Sequence, residues 1–515
     1  MLNLANFPYL GSLKIEATPK AYHDEYPVKF VKNGQTLSTG ESVSLQEGEE
    51  LFVAFREEFV GDVYFVCNGH ARLQVIYGEC EEEVYSTKEQ NTNDWYTIPT
   101  DRLYVTYGGT NYRSSGRRGL CCLRVICSWG RVEIREVKGV AEHCKIESEE
   151  AFHSEDKRLL DIWDISKRTT LLCMQDFLED GVKRDGCIWV SDARVQALCD
   201  YALFKQTEIV KKSLFLIAES QTKDGIIYAN AIVSGGNQHP SRMAYMFDYV
   251  KNSVVDGEPE FYEGCGLLHY VHYSVDFIHM AWEYYEASAD KETLCVLWDF
   301  LKRDVAYLLS LKDEEIVPKL LPPPPQAVAV RKTVDQGGFL STYYANFVWA
   351  LKNYLKIARL LGKEEEMGKI ENAIEVYTRK VRGYFANGDI LDKDKTGLEM
   401  HPVSALSTAF LAGIISREEY IAVRNAIRGK EAYIVDGYWM YFKLRATFEA
   451  GLYEEAMQEM RSYWGTMLDY GATTCWEQFD TEYLYLYEDF IISRCHGWSA
   501  GPADLLKRYV ENKGK

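Results

Sequence analysis

The residues best equipped for chemistry lie in two short segments. One reads Asp180-Gly181-Val182-Lys183-Arg184-Asp185-Gly186-Cys187-Ile188-Trp189-Val190-Ser191-Asp192, the other Gly471-Ala472-Thr473-Thr474-Cys475-Trp476-Glu477. Three carboxylates, an arginine and a tryptophan crowd the first segment, and a Trp-Glu pair closes the second. Cleavage of a glycosidic bond calls for such a set: one carboxyl held protonated, one held ionised, and aromatic faces for the sugar. Taken alone, Asp180, Asp185 and Asp192 are open to other readings. They could form a metal-like cluster, bind sugar hydroxyls or cap helices, and Asp185 could simply pair with Arg184. Asp192 directly precedes an amphipathic stretch, so capping is a real alternative for it.

Two kinds of scaffold must position these segments. Up to about residue 145 the chain reads as β. Val28 to Lys32 leads into Asn33-Gly34, a favoured hairpin turn, and short β-branched and aromatic runs follow at 51–55, 63–67, 73–77, 120–127 and 131–137. Gly, Asn and Asp punctuate them, which predicts an antiparallel β-sandwich over 1–145. From 146 to 515 the apolar residues recur at three- and four-residue intervals, as in Leu159, Leu160, Ile162, Trp163 and Ile165. Helices are expected over 156–177, 193–222, 266–288, 291–311, 342–361, 363–385, 404–415, 439–450 and 453–468. Short links such as Gly362 and Gly451 favour antiparallel neighbours. Roughly a dozen helices in sequential hairpins suit an all-α (α/α)6 toroid, whose loops at helix ends surround a funnel. No fixed repeat period supports a solenoid. The Pro322 to Pro325 run reads as a connector or a funnel rim.

Composition narrows the field. The 515 residues carry a formal charge of -19, with 47% apolar, 26% charged and 13% aromatic residues. So acidic a surface repels phosphate backbones and anionic lipid, which argues against nucleic acid and membranes as partners. The N-terminus shows no basic segment followed by an apolar run, and no stretch reaches the length of a membrane span. Thirteen cysteines, an odd number without regular spacing, fit buried reduced thiols. A cytoplasmic location is the expectation. No pattern specifies an oligomeric state.

Three motifs in order resemble the bacterial α-L-rhamnosidases of glycoside hydrolase family 78: the Asp180 to Asp192 segment, Gly471 to Glu477, and Cys495-His496-Gly497-Trp498-Ser499-Ala500-Gly501-Pro502-Ala503. The resemblance runs from about Ser154 to Tyr509. It implies an (α/α)6 barrel flanked by β-structure and an inverting enzyme that removes terminal α-L-rhamnose. It implies Asp185 as general acid and Glu477 as general base, with Asp180, Arg184, Trp189, Asp192, Trp476 and His496 around the sugar. An inverting pair stands roughly 6.5–9.5 Å apart, so the fold must bring 185 and 477 together. The acid needs a raised pKa, from burial or from Asp180 and Asp192, so Arg184 is expected to face the sugar or Asp180. Two positions depart from the family pattern: the acid is Asp185 where glutamate is usual, and Ser191 replaces a glycine. The helical pattern also runs close to Lys515, so the C-terminal β-domain common in the family is not expected.

Other patterns carry less. Gly497-Trp498-Ser499-Ala500-Gly501 matches a nucleophile elbow, but a strand before it and a doubly wound pattern are missing. His269, His272 and His279 lie on an apolar helix as core or rim residues, not as a metal set. There is no P-loop or dinucleotide fingerprint, so no cofactor is implied. Tyr438, Trp439 and Tyr441, and the alternating Tyr483, Tyr485 and Tyr487, could face sugar or pack. Two rival readings stay open: another (α/α)6 carbohydrate-active enzyme with a different deoxysugar or uronate substrate, and an inactive sugar-binding homologue.

Overall fold

A computed structural model of the chain describes residues 6–86, 98–107, 109–114, 116–183, 186–231, 268–321, 334–480 and 492–511. Its N-terminal part is a single antiparallel sheet, eight-stranded among the described residues. The strands are β1 (Lys20–Glu25), β2 (Lys29–Lys32), β3 (Gln35–Leu37), β4 (Val43–Gln46), β5 (Glu50–Gly78), β6 (Thr100–Val105), β7 (Thr110–Arg113) and β8 (Arg118–Cys144). The β2–β3 hairpin turns at Asn33 and Gly34, both with positive φ (47° and 82°), as the Asn-Gly pair predicts.

The separate runs expected at 51–55, 63–67 and 73–77 belong to one long strand, β5. Those at 120–127 and 131–137 likewise merge into β8. Register shifts around Ala54/Phe59, Gly61 and Arg72/Leu73 bend β5, so that β8 residues 122–126 pair with both its 50–54 and its 74–78 stretches. Bulges of this kind curl a sheet over its own core. The inner face buries Leu51, Val53, Phe65, Leu73, Val75, Leu123 and Val125. Gly61 permits the crossing, because a Cβ there would meet the Val140 carbonyl oxygen at 2.0 Å.

One short helix, α1 (Glu81–Tyr85), follows β5. The long helices begin with α2 (Lys157–Cys173), α3 (Val190–Leu203) and α4 (Thr207–Glu219), then α5 (Val271–Ser288) and α6 (Lys291–Ser310). They continue with α7 (Leu340–Leu361), α8 (Met367–Gly383), α9 (Val403–Leu411), α10 (Arg417–Ala426), α11 (Gly437–Glu449) and α12 (Tyr453–Asp469). The helix expected over 193–222 is two helices. Lys205 takes a left-handed φ of 56°, and the Asp200 carboxylate accepts from the Gln206 N–H at 3.1 Å, turning the chain there.

The helices alternate in character. α3, α5, α7, α9 and α11 are buried nearly all round, whereas α8 and α10 bury a single stripe. α3 packs on α5, α5 on α7, α7 on α9 and α9 on α11. The closing segment, Gly497–Ala500 and Pro502–Leu505, packs on both α11 and α3. Among the described residues no helix is long and apolar enough to cross a membrane. The described cysteines are free thiols and mostly buried, although Cys295 is exposed.

Candidate active site

The first motif is a loop pinned at its neck. The Asp180 N–H donates to the Cys187 carbonyl at 3.0 Å, and the Cys187 N–H donates back to the Asp180 carboxylate at 3.1 Å. Gly186 closes the neck with a φ of 58°, which a glycine adopts at little cost. Arg184 and Asp185 sit between these pinned ends and lie outside the described residues, and the carboxyl separation expected of 185 and 477 lies outside them too. So do Tyr483, Tyr485, Tyr487 and the Pro322 to Pro325 run.

The neck of this loop joins the second motif through a third segment. Gly181 bridges His496, the Val182 N–H donates to the Cys495 carbonyl, and the Gly497 N–H donates to the Asp180 carbonyl at 2.7 Å. On its other edge the same segment takes up the second motif. The His496 N–H donates to the Cys475 carbonyl at 3.0 Å and the Glu477 N–H to the Ser493 carbonyl at 2.9 Å. Three stretches far apart in sequence, 180–182, 493–497 and 475–477, thus lie edge to edge, joined by backbone hydrogen bonds. Gly181 suits this close approach, since a Cβ would stand 3.0 Å from the His496 ring, tighter than an ordinary contact.

The side chains on this framework are buried and charged. The His496 ring lies between two aspartates, with Nε2 at 3.8 Å from Asp180 and Nδ1 at 3.7 Å from Asp192. Asp192 belongs to the first turn of α3 rather than capping it, because Trp189 holds the N-cap position. Glu477 is 7% exposed, and one carboxylate oxygen accepts from the Ser493 N–H at 2.9 Å. The Trp498 indole N–H donates to the Glu477 carbonyl at 2.9 Å, fixing the backbone beneath that side chain. Half-buried Trp189 faces Tyr273 at 5.9 Å between centroids, and Trp498 lies 4.7 Å from His496. Trp476 is buried against Phe479, and the Arg494 guanidinium stands 4.9 Å from its ring centroid.

Beneath this layer α3, α5, α7 and α11 carry a buried polar floor. The Arg194 guanidinium donates to Asp276 at 2.9 Å and to Glu283 at 2.8 Å, and lies 5.0 Å from the ring centroids of Trp349 and Phe442. Asp276 also accepts from the Ser191 and Tyr438 hydroxyls, each at 2.6 Å. Ser191, which stands where the family pattern has glycine, therefore serves the floor. Beside Glu477, Asp436 bridges Gln478 through the backbone, and its buried carboxylate accepts from the Trp439 N–H at 2.7 Å. Burial, then Asp335, and Glu477 as well push Asp436 up to about 7.

The remaining candidates resolve into packing. His272 is buried and pushed down to about 4 by desolvation, and His279 is buried between Asn346 and Asn353. Tyr438 and Tyr441 point inward, the latter donating to Asp504 at 2.8 Å. Ser499 follows an extended His496 on a short helical turn, not a parallel strand, so no nucleophile elbow is present there. Among the described residues no His, Cys, Asp and Glu cluster has the geometry to hold a metal ion.

Residues 147–510 match the family described as the bacterial alpha-L-rhamnosidase 6 hairpin glycosidase domain. The chain belongs to this family. It is a glycoside hydrolase. No curated protein matches it in sequence. Among solved structures it is similar to a rhamnosidase from Klebsiella oxytoca with rhamnose bound, at a TM-score of 0.78 and 19% identity, over 98% of each chain. It is also similar to a family 78 rhamnosidase of Bacillus sp. GL1, at a TM-score of 0.70 and 20% identity, over 89% of this chain and 46% of that one. The Streptomyces avermitilis α-L-rhamnosidase complexed with L-rhamnose has a TM-score of 0.67 at 15% identity, over 95% of this chain and 44% of its own. At these identities the likeness is one of fold.

Proposed function

We propose that this protein is an inverting exo-α-L-rhamnosidase in which Asp185 protonates the glycosidic oxygen and Glu477 activates the hydrolytic water. The observation that carries the reading is the ladder of 180–182, 493–497 and 475–477. Through 493–497 it joins the stretch that ends in Glu477 to residues 180–182, which precede Asp185 in the first motif. Asp180, Arg184, Trp189 and Asp192 are assigned to the sugar's hydroxyls and ring face, and Trp476 and His496 to the same sugar site. The closed order of neighbouring helices supports an (α/α)6 toroid, with 1–145 and 146–515 as its β and α parts. Membership of a rhamnosidase family favours rhamnose over another deoxysugar.

Positioned acid–base groups typically contribute about 10²–10⁴-fold each. Release of nitrophenol from 4-nitrophenyl α-L-rhamnoside should therefore fall by about that factor in Glu477→Gln and in Asp185→Asn. Turnover that survives both changes contradicts the assignment. Rhamnose binding without turnover of any nitrophenyl glycoside would instead indicate a sugar-binding homologue.

A further inference from the structure

The N-terminal sheet places buried acids against both chemical segments at once. β5 ends at Gly78, and Glu79 and Glu83 follow immediately, both nearly inaccessible to solvent. Lys183, two residues before Asp185 and 5% exposed, reaches Glu79 at 3.0 Å and Glu83 at 3.3 Å, and donates to the Ile492 carbonyl at 3.1 Å. One oxygen of Glu79 accepts from the Ser493 hydroxyl at 2.9 Å, and the other from the Arg494 N–H at 2.6 Å. The N–H of that same Ser493 donates to the Glu477 carboxylate. A continuous path of contacts therefore runs from Lys183 through Glu79 and Ser493 to the carboxylate of Glu477.

We infer that Glu79 and Lys183 are positioning residues: the sheet uses this pair to hold Ser493, and through it the side chain of Glu477, in register with the loop that carries Asp185. The inference rests on the assignment of Glu477 as base. A solvent-exposed acidic run needs no such arrangement. Two features separate this cluster from a solvated one. Its charges are buried where only pairing makes them tolerable. Its contacts also span three chain segments that meet only at the site. Glu58, at the bend of β5, adds to the cluster by accepting from the Thr474 hydroxyl at 3.2 Å. Burial, and then the charge of Glu79, hold the Glu58 carboxyl well above the usual carboxylate range. A residue away from the chemistry that lets a reacting group shift by about 1 Å can cost about 100-fold, without touching the substrate itself.

The test is steady-state hydrolysis of 4-nitrophenyl α-L-rhamnoside by Glu79→Gln, Ser493→Ala, Ser493→Thr and Glu477→Gln, each compared with the parent by thermal unfolding. The inference expects Glu79→Gln and Ser493→Ala to lower kcat by up to about 100-fold. It expects KM to stay within about twofold, because the sugar contacts are untouched. Ser493→Thr, which keeps the hydroxyl, should restore most of the lost turnover. Should Glu79→Gln fail to fold, Ser493→Ala decides, since it leaves the Lys183 pair intact. Parental kcat in Ser493→Ala, or a rise in KM matching the fall in kcat, overturns the positioning role. Activity retained in Glu477→Gln overturns the base assignment itself, so the two failures are distinguishable.

Discussion

Two buried ion networks flank the candidate site, and they are built differently. The floor joins Arg194, Asp276 and Glu283, all inside regular helices whose backbones are already satisfied. The junction joins Lys183 on a loop, Glu79 just after a strand and Glu83 in the single short turn α1, and reaches loop residues Ser493 and Glu477. A charge inside packed helices opens only when those helices separate. A charge on loops can open locally, and local opening is where binding and catalytic elements usually reside. The contrast assigns global stability to the floor and alignment of the reacting groups to the junction.

The largest effect expected from this contrast is on the floor. Arg194→Met would leave Asp276 and Glu283 buried without their cation, and breaking a buried pair in this way costs about 3–5 kcal/mol. A large drop in the urea or thermal midpoint checks it, and a shift below about 1 kcal/mol would break the comparison. Lys183→Met should reverse the emphasis, with a smaller shift of midpoint than Arg194→Met but loss of most turnover. Equal destabilisation by the two would erase the distinction.

Asp200 sharpens the floor from another side. It lies on the same helix as Arg194 but is held by the Gln206 N–H, and burial pushes it from 3.8 up to about 7. A carboxyl raised in the folded state favours folding most at low pH, and its contribution is lost as pH climbs from about 4 to about 7. The limiting slope is about 1.4 kcal/mol per pH unit. Asp200→Asn should flatten that part of the stability profile, by about 2 kcal/mol between pH 5 and 6.5. The smallest effect belongs to Ser191, which shares Asp276 with Tyr438 and Arg194. Ser191→Ala should cost about 1 kcal/mol, the ordinary worth of one hydrogen bond, read as a shift in urea midpoint.

What the sequence disclosed follows the range of the interactions involved. The Asn33-Gly34 turn and most of the long helices are set by neighbours in the chain, and they occur where expected. The merging of 51–55, 63–67 and 73–77 into one strand depends on bends imposed by β8, which no local window contains. The break at Lys205 hinges on a single left-handed residue and an Asp200 carboxylate. Asp180, Asp192, Trp189, Glu477 and His496 are visible as motif residues, and the ladder joins the segments of Asp180, His496 and Glu477. Glu79 and Glu83 were not visible, because they sit in a Glu-rich run, 79–83, whose Glu81 and Glu82 are exposed and which reads as a solvated face. Lys183 lay in plain view within the first motif, but only the tertiary structure supplies its carboxylates.

The central claim, that Glu477 activates water against a sugar protonated from the Asp185 loop, is tested most directly by following the anomeric proton of the released sugar. With 4-nitrophenyl α-L-rhamnoside, proton NMR should show β-L-rhamnose first, with the α-anomer growing in only by mutarotation, and Glu477→Gln should nearly abolish both. Initial appearance of α-L-rhamnose, or undiminished release by Glu477→Gln, would contradict the account.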